Sequence, residues 1–190
     1  MAPKMDDSAA RGGASCWPMD ARSFLVPDTL RNGTPVTYRA VRVDDGPRLQ
    51  EAFEGLDPSS VYTRFFGYRS GPTARELARL GEIDFVNQVM LVVTVQGEAG
   101  ETIVASGRYM GLGKGAAEVA FTVEEDYQGQ GIAGRLLGHL VTIARAHGFE
   151  RLEAEVLAQN RAMLAVFARS GLPMEQRREG TTIHLWLALT

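Results

Sequence analysis

Gln128-Gly129-Gln130-Gly131-Ile132-Ala133-Gly134 lies between a β-rich run, Glu118–Val123, and a stretch of helical periodicity in Leu136, Leu137, Leu140, Val141, Ile143 and Ala144. The order is strand, glycine loop, helix. Glycines at such a junction remove the Cβ atoms that would keep a guest away from backbone N–H groups, and the helix start adds positive dipole character. An anion, phosphate above all, is the natural guest. The other reading is a glycine-rich helix start with no ligand.

Two other phosphate motifs compete and fail. Gly129-Gln130-Gly131-Ile132-Ala133-Gly134 also fits the dinucleotide pattern G-x-G-x-x-G, whose first glycine ends its strand directly. Here Glu124-Glu125-Asp126-Tyr127-Gln128 intervenes, and the remaining chain offers two strands, Arg151–Leu157 and Thr182–Leu189, too few for a doubly wound sheet. Gly111-Leu112-Gly113-Lys114-Gly115 lacks both the spacing and the following Ser or Thr of a P-loop.

Outward from the loop, the amino-terminal part alternates turns and short elements. Residues 1–22 are rich in Ala, Gly, Ser and Asp and read as a flexible tail, followed by one domain over residues 23–190. Phe24–Val26 forms a short apolar run, and Val36–Val43 reads as a strand after Asn32-Gly33, a hairpin signal in which both turn positions take positive φ unless the loop is longer than two residues. Asp44 or Asp45 is positioned to cap a helix opened by Pro47. Further helices are expected over Ser59–Phe66, after the Asp57-Pro58 break, and over Thr73–Leu80, ending at Gly81. Tyr62, Phe65 and Phe66 at helical spacing serve either a core or an acceptor groove. Val89–Gln96 and Thr102–Met110 form a second hairpin around Gly97–Gly100, and Gly111–Ala117 reads as a glycine-rich connection. A last helix spans Asn160–Ser170.

The net charge of −3, with both signs interspersed, argues against nucleic acid as a partner. The lone Cys16 excludes an internal disulfide and suits a reducing compartment. The longest apolar stretch, Val89–Val95, is too short to span a bilayer, so the default is the cytoplasm and no membrane partner. His139, His147 and His184 fall on different elements without metal-ligand spacing, so no metal is expected; His147 near a helix end suits the dipole.

From Ala117 to Gly171 the chain resembles the GNAT superfamily of acyl-CoA-dependent N-acyltransferases. Gln128-Gly129-Gln130-Gly131-Ile132-Ala133 fits that family's pyrophosphate signature, Gln/Arg-x-x-Gly-x-Gly/Ala, with the flanking elements in the family's order. Thr29-Leu30-Arg31-Asn32-Gly33-Thr34-Pro35-Val36 and Asp57-Pro58-Ser59-Ser60-Val61-Tyr62-Thr63-Arg64-Phe65-Phe66 are similar to one branch, the bacterial protein lysine acetyltransferases.

The resemblance implies an α+β fold with a central mixed, mostly antiparallel sheet of about six to seven strands flanked by helices, plus an extra N-terminal strand or hairpin. It implies acetyl-CoA as co-substrate, with its pyrophosphate on Gln128, Gly129, Gln130, Gly131, Ile132, Ala133 and Gly134. Its pantetheine arm would lie along Phe121, Thr122 and Val123, where neighbouring strands splay. Asn160 matches an asparagine that bonds the arm, and equally suits capping its own helix. The acceptor is an amine, a protein lysine (on an acyl-CoA synthetase or another protein) or a small molecule; a non-catalytic acyl-CoA sensor is the third reading. A homodimer is compatible with the family.

A lysine amine has a reference pKa of about 10.4, so holding it neutral at pH 7 costs about 4–5 kcal/mol and its proton needs a receiver. Glu118, read as the first residue of the strand leading to the loop, stands where family members often place a catalytic glutamate. Apolar Val119, Ala120 and Phe121 would favour its neutral form, whereas the alternative is an exposed strand-end glutamate. Glu124, Glu125 and Asp126 read as a solvated loop or as a steering patch for a cationic substrate. The chain departs from the family at Phe167, near the place of a tyrosine that protonates the leaving thiolate in many members, and at Leu172-Pro173.

Overall fold

The computed structural model describes residues 20–56, 72–98 and 100–189. Cys16, nearly all of the expected tail and the expected Ser59–Phe66 helix lie outside the described residues. Every strand among the described residues belongs to one sheet: β1 (Leu25–Thr29), β2 (Pro35–Ala40), β3 (Gln88–Gly97), β4 (Gly100–Gly113), β5 (Ala116–Val123), β6 (Arg151–Leu157), β7 (Met174–Glu179) and β8 (Thr182–Ala188). Their order is β1-β2-β3-β4-β5-β6-β8-β7. All pairings are antiparallel except β5 with β6.

The helices among the described residues are α1 (Gly46–Glu54), α2 (Ala74–Ala78), α3 (Ile132–Ala146) and α4 (Arg161–Ala168). One face of the sheet takes α3, whose Leu136, Leu137, Leu140, Ile143 and Ala144 are buried in one core with Val89, Leu91, Val93, Val119 and Phe121. Burying each such Leu is worth about 1.5–3 kcal/mol. A close approach makes this packing possible. A Cβ on Gly107 of β4 would stand 3.0 Å from the Phe121 ring and 3.3 Å from Leu140, so glycine lets α3 settle onto the strands. On the other face, Leu49 and Ala52 of α1 and Leu77 of α2 pack on Val41, Leu80, Val92 and Ile103.

The architecture matches the expected α+β sheet, with eight strands in place of six or seven. The extra one is β7, Met-Glu-Gln-Arg-Arg-Glu, an edge strand exposed along nearly its whole length. It is held by its ladder to β8 and so carries no apolar alternation to read. The expected glycine-rich connection is mostly strand: β4 runs to Gly113 through an irregular register at Gly111, and the turn itself is Lys114-Gly115, both at positive φ. At Asn32-Gly33 only Gly33 takes positive φ; five residues, 30–34, connect β1 to β2, and the Asn32 side chain accepts from the Thr34 N–H at 3.0 Å.

Asp45 is also corrected. It precedes α1 but makes no side-chain cap. Its fully buried carboxylate instead receives both terminal nitrogens of Arg39, at 2.7 and 2.8 Å, and the Arg42 N–H at 2.8 Å. The Arg39 guanidinium is 2% exposed and also donates to Glu101 at 2.9 and 3.0 Å. Burial works against the charge on Asp45, yet the bonds from Arg39 and Arg42 hold its carboxyl below the usual range.

Candidate active site

The one parallel pairing is short. β5 meets β6 only at Ala116–Arg151, Ala117–Leu152 and Glu118–Glu153. Beyond Glu118 the ladder stops, although β5 continues against β4 to Val123 and β6 continues against β8 to Leu157. Between Val119–Val123 and Ala154–Leu157 the two strands therefore do not pair with each other, leaving a gap inside the sheet whose facing backbone groups lack a strand partner. Such groups need a partner. An amide-bearing chain laid into the gap would supply one.

The gap opens into a cleft of about 1350 Å³ lined by Glu118 to Val123, the glycine loop, the first turns of α3, Ala154–Val156 and much of α4. Glu118, Phe121, Thr122, Val123, Gln128, Gly129, Gln130, Gly131, Ile132, Ala133, Gly134 and Asn160 all lie on it.

The loop is built for close approach. A 3-10 turn, Glu125–Tyr127, separates β5 from the loop, and the Gln128 amide donates to the Val123 carbonyl at 3.1 Å. Gly129 and Gly131 have φ of +71° and +91°, a region where a side chain is strained. Gly131 is the N-cap of α3 and offers no side-chain acceptor, so the first N–H groups of this 15-residue helix carry no side-chain cap. Nothing stands within 4 Å of where a Cβ on Gly129 or Gly134 would be. Left-handed glycines, open space and an uncapped helix start fit a phosphate. The cleft also inverts the protein's overall charge: five arginines (Arg31, Arg135, Arg145, Arg161, Arg169) face two glutamates (Glu118, Glu155). Their positions are scattered over 139 residues of sequence, so no linear basic stripe announces them.

Glu118 is the third residue of β5 rather than its first, and it marks the point where the gap begins. Alternation turns Ala117, Val119 and Phe121 into the α3 core and leaves Glu118 exposed. Its strand neighbours therefore do not bury it.

Glu124, just past the other end of β5, is half-buried, and burial with help from Asp126 and Glu125 raises its pKa. One buried carboxylate oxygen of Glu125 has no hydrogen-bond partner. The acidic run is thus partly packed rather than wholly solvated.

Asn160 caps α4, its Oδ1 accepting from the Met163 N–H at 3.1 Å. Phe167 is 1% exposed and meets Phe121 edge-on with ring centroids 6.0 Å apart, a core contact. Tyr127 is the one tyrosine among the described residues that line the cleft. The histidines lie elsewhere: His139 against Phe24 and Tyr38, His147 at the end of α3 bonded to Tyr109, and His184 between Glu155 and Glu179. No helix among the described residues is long and apolar enough to cross a membrane.

Residues 57–172 match the family model described as the acetyltransferase (GNAT) family. The chain is 35% identical over 148 residues to the acetyltransferase Pat of Mycolicibacterium smegmatis, covering 77% of this chain and 44% of that one. It is 31% identical over 137 residues to the acetyltransferase PA5475 of Pseudomonas aeruginosa, covering 72% of this chain and 74% of that one. The GNAT domain of S. lividans PAT superposes with a TM-score of 0.78 at 33% identity, over 86% of this chain and 96% of that domain. The chain thus spans less than half the length of its mycobacterial relative.

Proposed function

The chain belongs to the GNAT acetyltransferase family, and from that premise we propose that its residues 23–190 form one domain that transfers an acetyl group from acetyl-CoA directly to a primary amine, a protein lysine side chain, with Glu118 as general base. The observation that carries this reading is the end of the β5–β6 ladder at Glu118. The resulting gap connects the uncapped glycine loop at one end with a carboxylate at the other. Acetyl-CoA supplies a thioester, and attack of the amine on its carbonyl releases the CoA thiolate, a fair leaving group.

This chain's residues then do three things. The loop Gln128–Gly134 holds the pyrophosphate through backbone N–H groups, in a cleft whose arginines outnumber its glutamates. The edge of Phe121, Thr122 and Val123, which β6 leaves free, exchanges hydrogen bonds with the pantetheine amides, and Asn160, whose Oδ1 serves its own helix, has an amide NH2 to donate to the same arm. Glu118 takes the ammonium proton, directly or through water, so that a neutral amine attacks. The lysine acceptor rests on the resemblance of the amino-terminal half to the protein acetyltransferase branch.

Thiol release from acetyl-CoA in the presence of lysine peptides tests this. Glu118→Gln is expected to bind CoA like wild type and to lose roughly 10²- to 10⁴-fold in kcat. Glu124→Gln is the informative control, because Glu124 carries the raised pKa near the opposite end of the same strand. Loss in Glu124→Gln with undiminished turnover in Glu118→Gln would move the base to Glu124.

A further inference from the structure

The amino-terminal hairpin reaches the glycine loop across 98 residues of sequence. It is clamped there from both sides. Leu30, the first residue after β1, is 3% exposed in the main core. Arg135, in the first turns of α3, pairs with Asp28 of β1 at 2.7 Å and donates to the Thr29 carbonyl at 3.0 Å. Between these anchors stands Arg31. Its Nη1 is 3.4 Å from the Gly129 carbonyl oxygen, a long hydrogen bond. Its Nε and Nη2 lie 3.8 and 3.9 Å from where a Cβ on Gly131 would stand. No carboxylate among the described residues forms an ion pair with it. An exposed guanidinium, held over the one side of Gly131 that glycine leaves open, has its charge unmatched by any carboxylate among the described residues.

Resting on the reading of this loop as a CoA site, we propose that Arg31 is a cofactor-binding residue that closes the pyrophosphate cradle from the hairpin side. The backbone N–H groups of the loop and helix start form one wall, and the planar guanidinium forms the other. Its fork matches two phosphate oxygens, which a lysine ammonium cannot do. Asp28 and Arg135 are positioning residues, because they hold the hairpin at the height where Arg31 meets the loop. The edge hairpin thereby becomes part of the cofactor site.

Calorimetry on the full chain with CoA and with 3′-dephospho-CoA decides it. Arg31→Ala is expected to weaken both ligands by the same factor, roughly 10- to 100-fold. Arg31→Lys should recover only part of the loss. Melting curves check that both variants are folded. Wild-type affinity in Arg31→Ala overturns the proposal. A loss for CoA but not for the dephospho ligand also overturns it, placing the contact on the 3′-phosphate instead. A folded wild-type chain that binds neither ligand overturns the cofactor reading itself, which is a different failure.

Discussion

Two clusters of charge in this molecule are built on opposite principles. In the cluster of Arg39, Asp45 and Glu101, a buried guanidinium meets two carboxylates through four hydrogen bonds of 3.0 Å or less, and Thr94 completes Glu101 at 2.9 Å. Its groups are satisfied within the protein. It ties β2, β4 and the turn before α1 together and offers little to a ligand. The cleft does the reverse. The first N–H groups of α3 have no side-chain cap, β5 and β6 do not pair beyond Glu118, and Arg31 has no carboxylate partner among the described residues. Charges closed on one another hold a fold, whereas polar groups left open at low cost mark where a ligand completes the structure.

Substitutions can break that contrast. The largest expected effect is Asp45→Ala, which strands Arg39 in a buried site. It should lower unfolding free energy by about 3–5 kcal/mol in urea titrations, while the folded fraction still binds CoA. A loss under about 1 kcal/mol would mean that the network is not the clamp described here.

Gly131→Glu should do the opposite. It forces a side chain into φ +91° and puts a carboxylate where phosphate enters, so CoA affinity should fall by about 100-fold or more with only a small change in Tm. Unchanged affinity by calorimetry would end the pyrophosphate assignment.

The smallest effect sharpens the comparison from a third side, a carboxylate satisfied by backbone. Burial acts against the charge on Asp84, but the N–H groups of Gln88, Val86 and Asn87, with the Asn87 side chain, hold its pKa at about 2, against an ordinary 3.8. A depressed pKa adds stability above the unfolded value and loses it as pH falls toward 2. Asp84→Ala should therefore cost a few degrees of Tm at pH 7, a difference that shrinks between pH 4 and 2. A pH-independent difference would assign the effect to packing.

Local pattern made much of the architecture legible. The apolar spacing of α3, the glycine loop before it and the runs that became β3, β4, β5, β6 and β8 are visible because each buries a periodic face. β7 was not, since beyond Met174 an edge strand of Glu, Gln and Arg gains its place mainly from its ladder to β8. Asp45 beside Pro47 has the local form of a helix cap, and nothing nearby in the chain points to Arg39 as its partner. Arg31 carries no signal beyond being an arginine in a turn.

By itself the sequence determined that a glycine loop separates a strand from a helix, that such a junction suits an anion, and which family's signature the loop carries. These follow from local rules: φ, Cβ sterics, helix ends and periodicity. Only the tertiary structure decided where the β5–β6 ladder stops, that Glu118 stands exposed at that point, and that Arg31 hangs over Gly131. Those facts depend on pairings across dozens of residues, where the energy of a contact is set by which strands and turns meet rather than by neighbours in the chain.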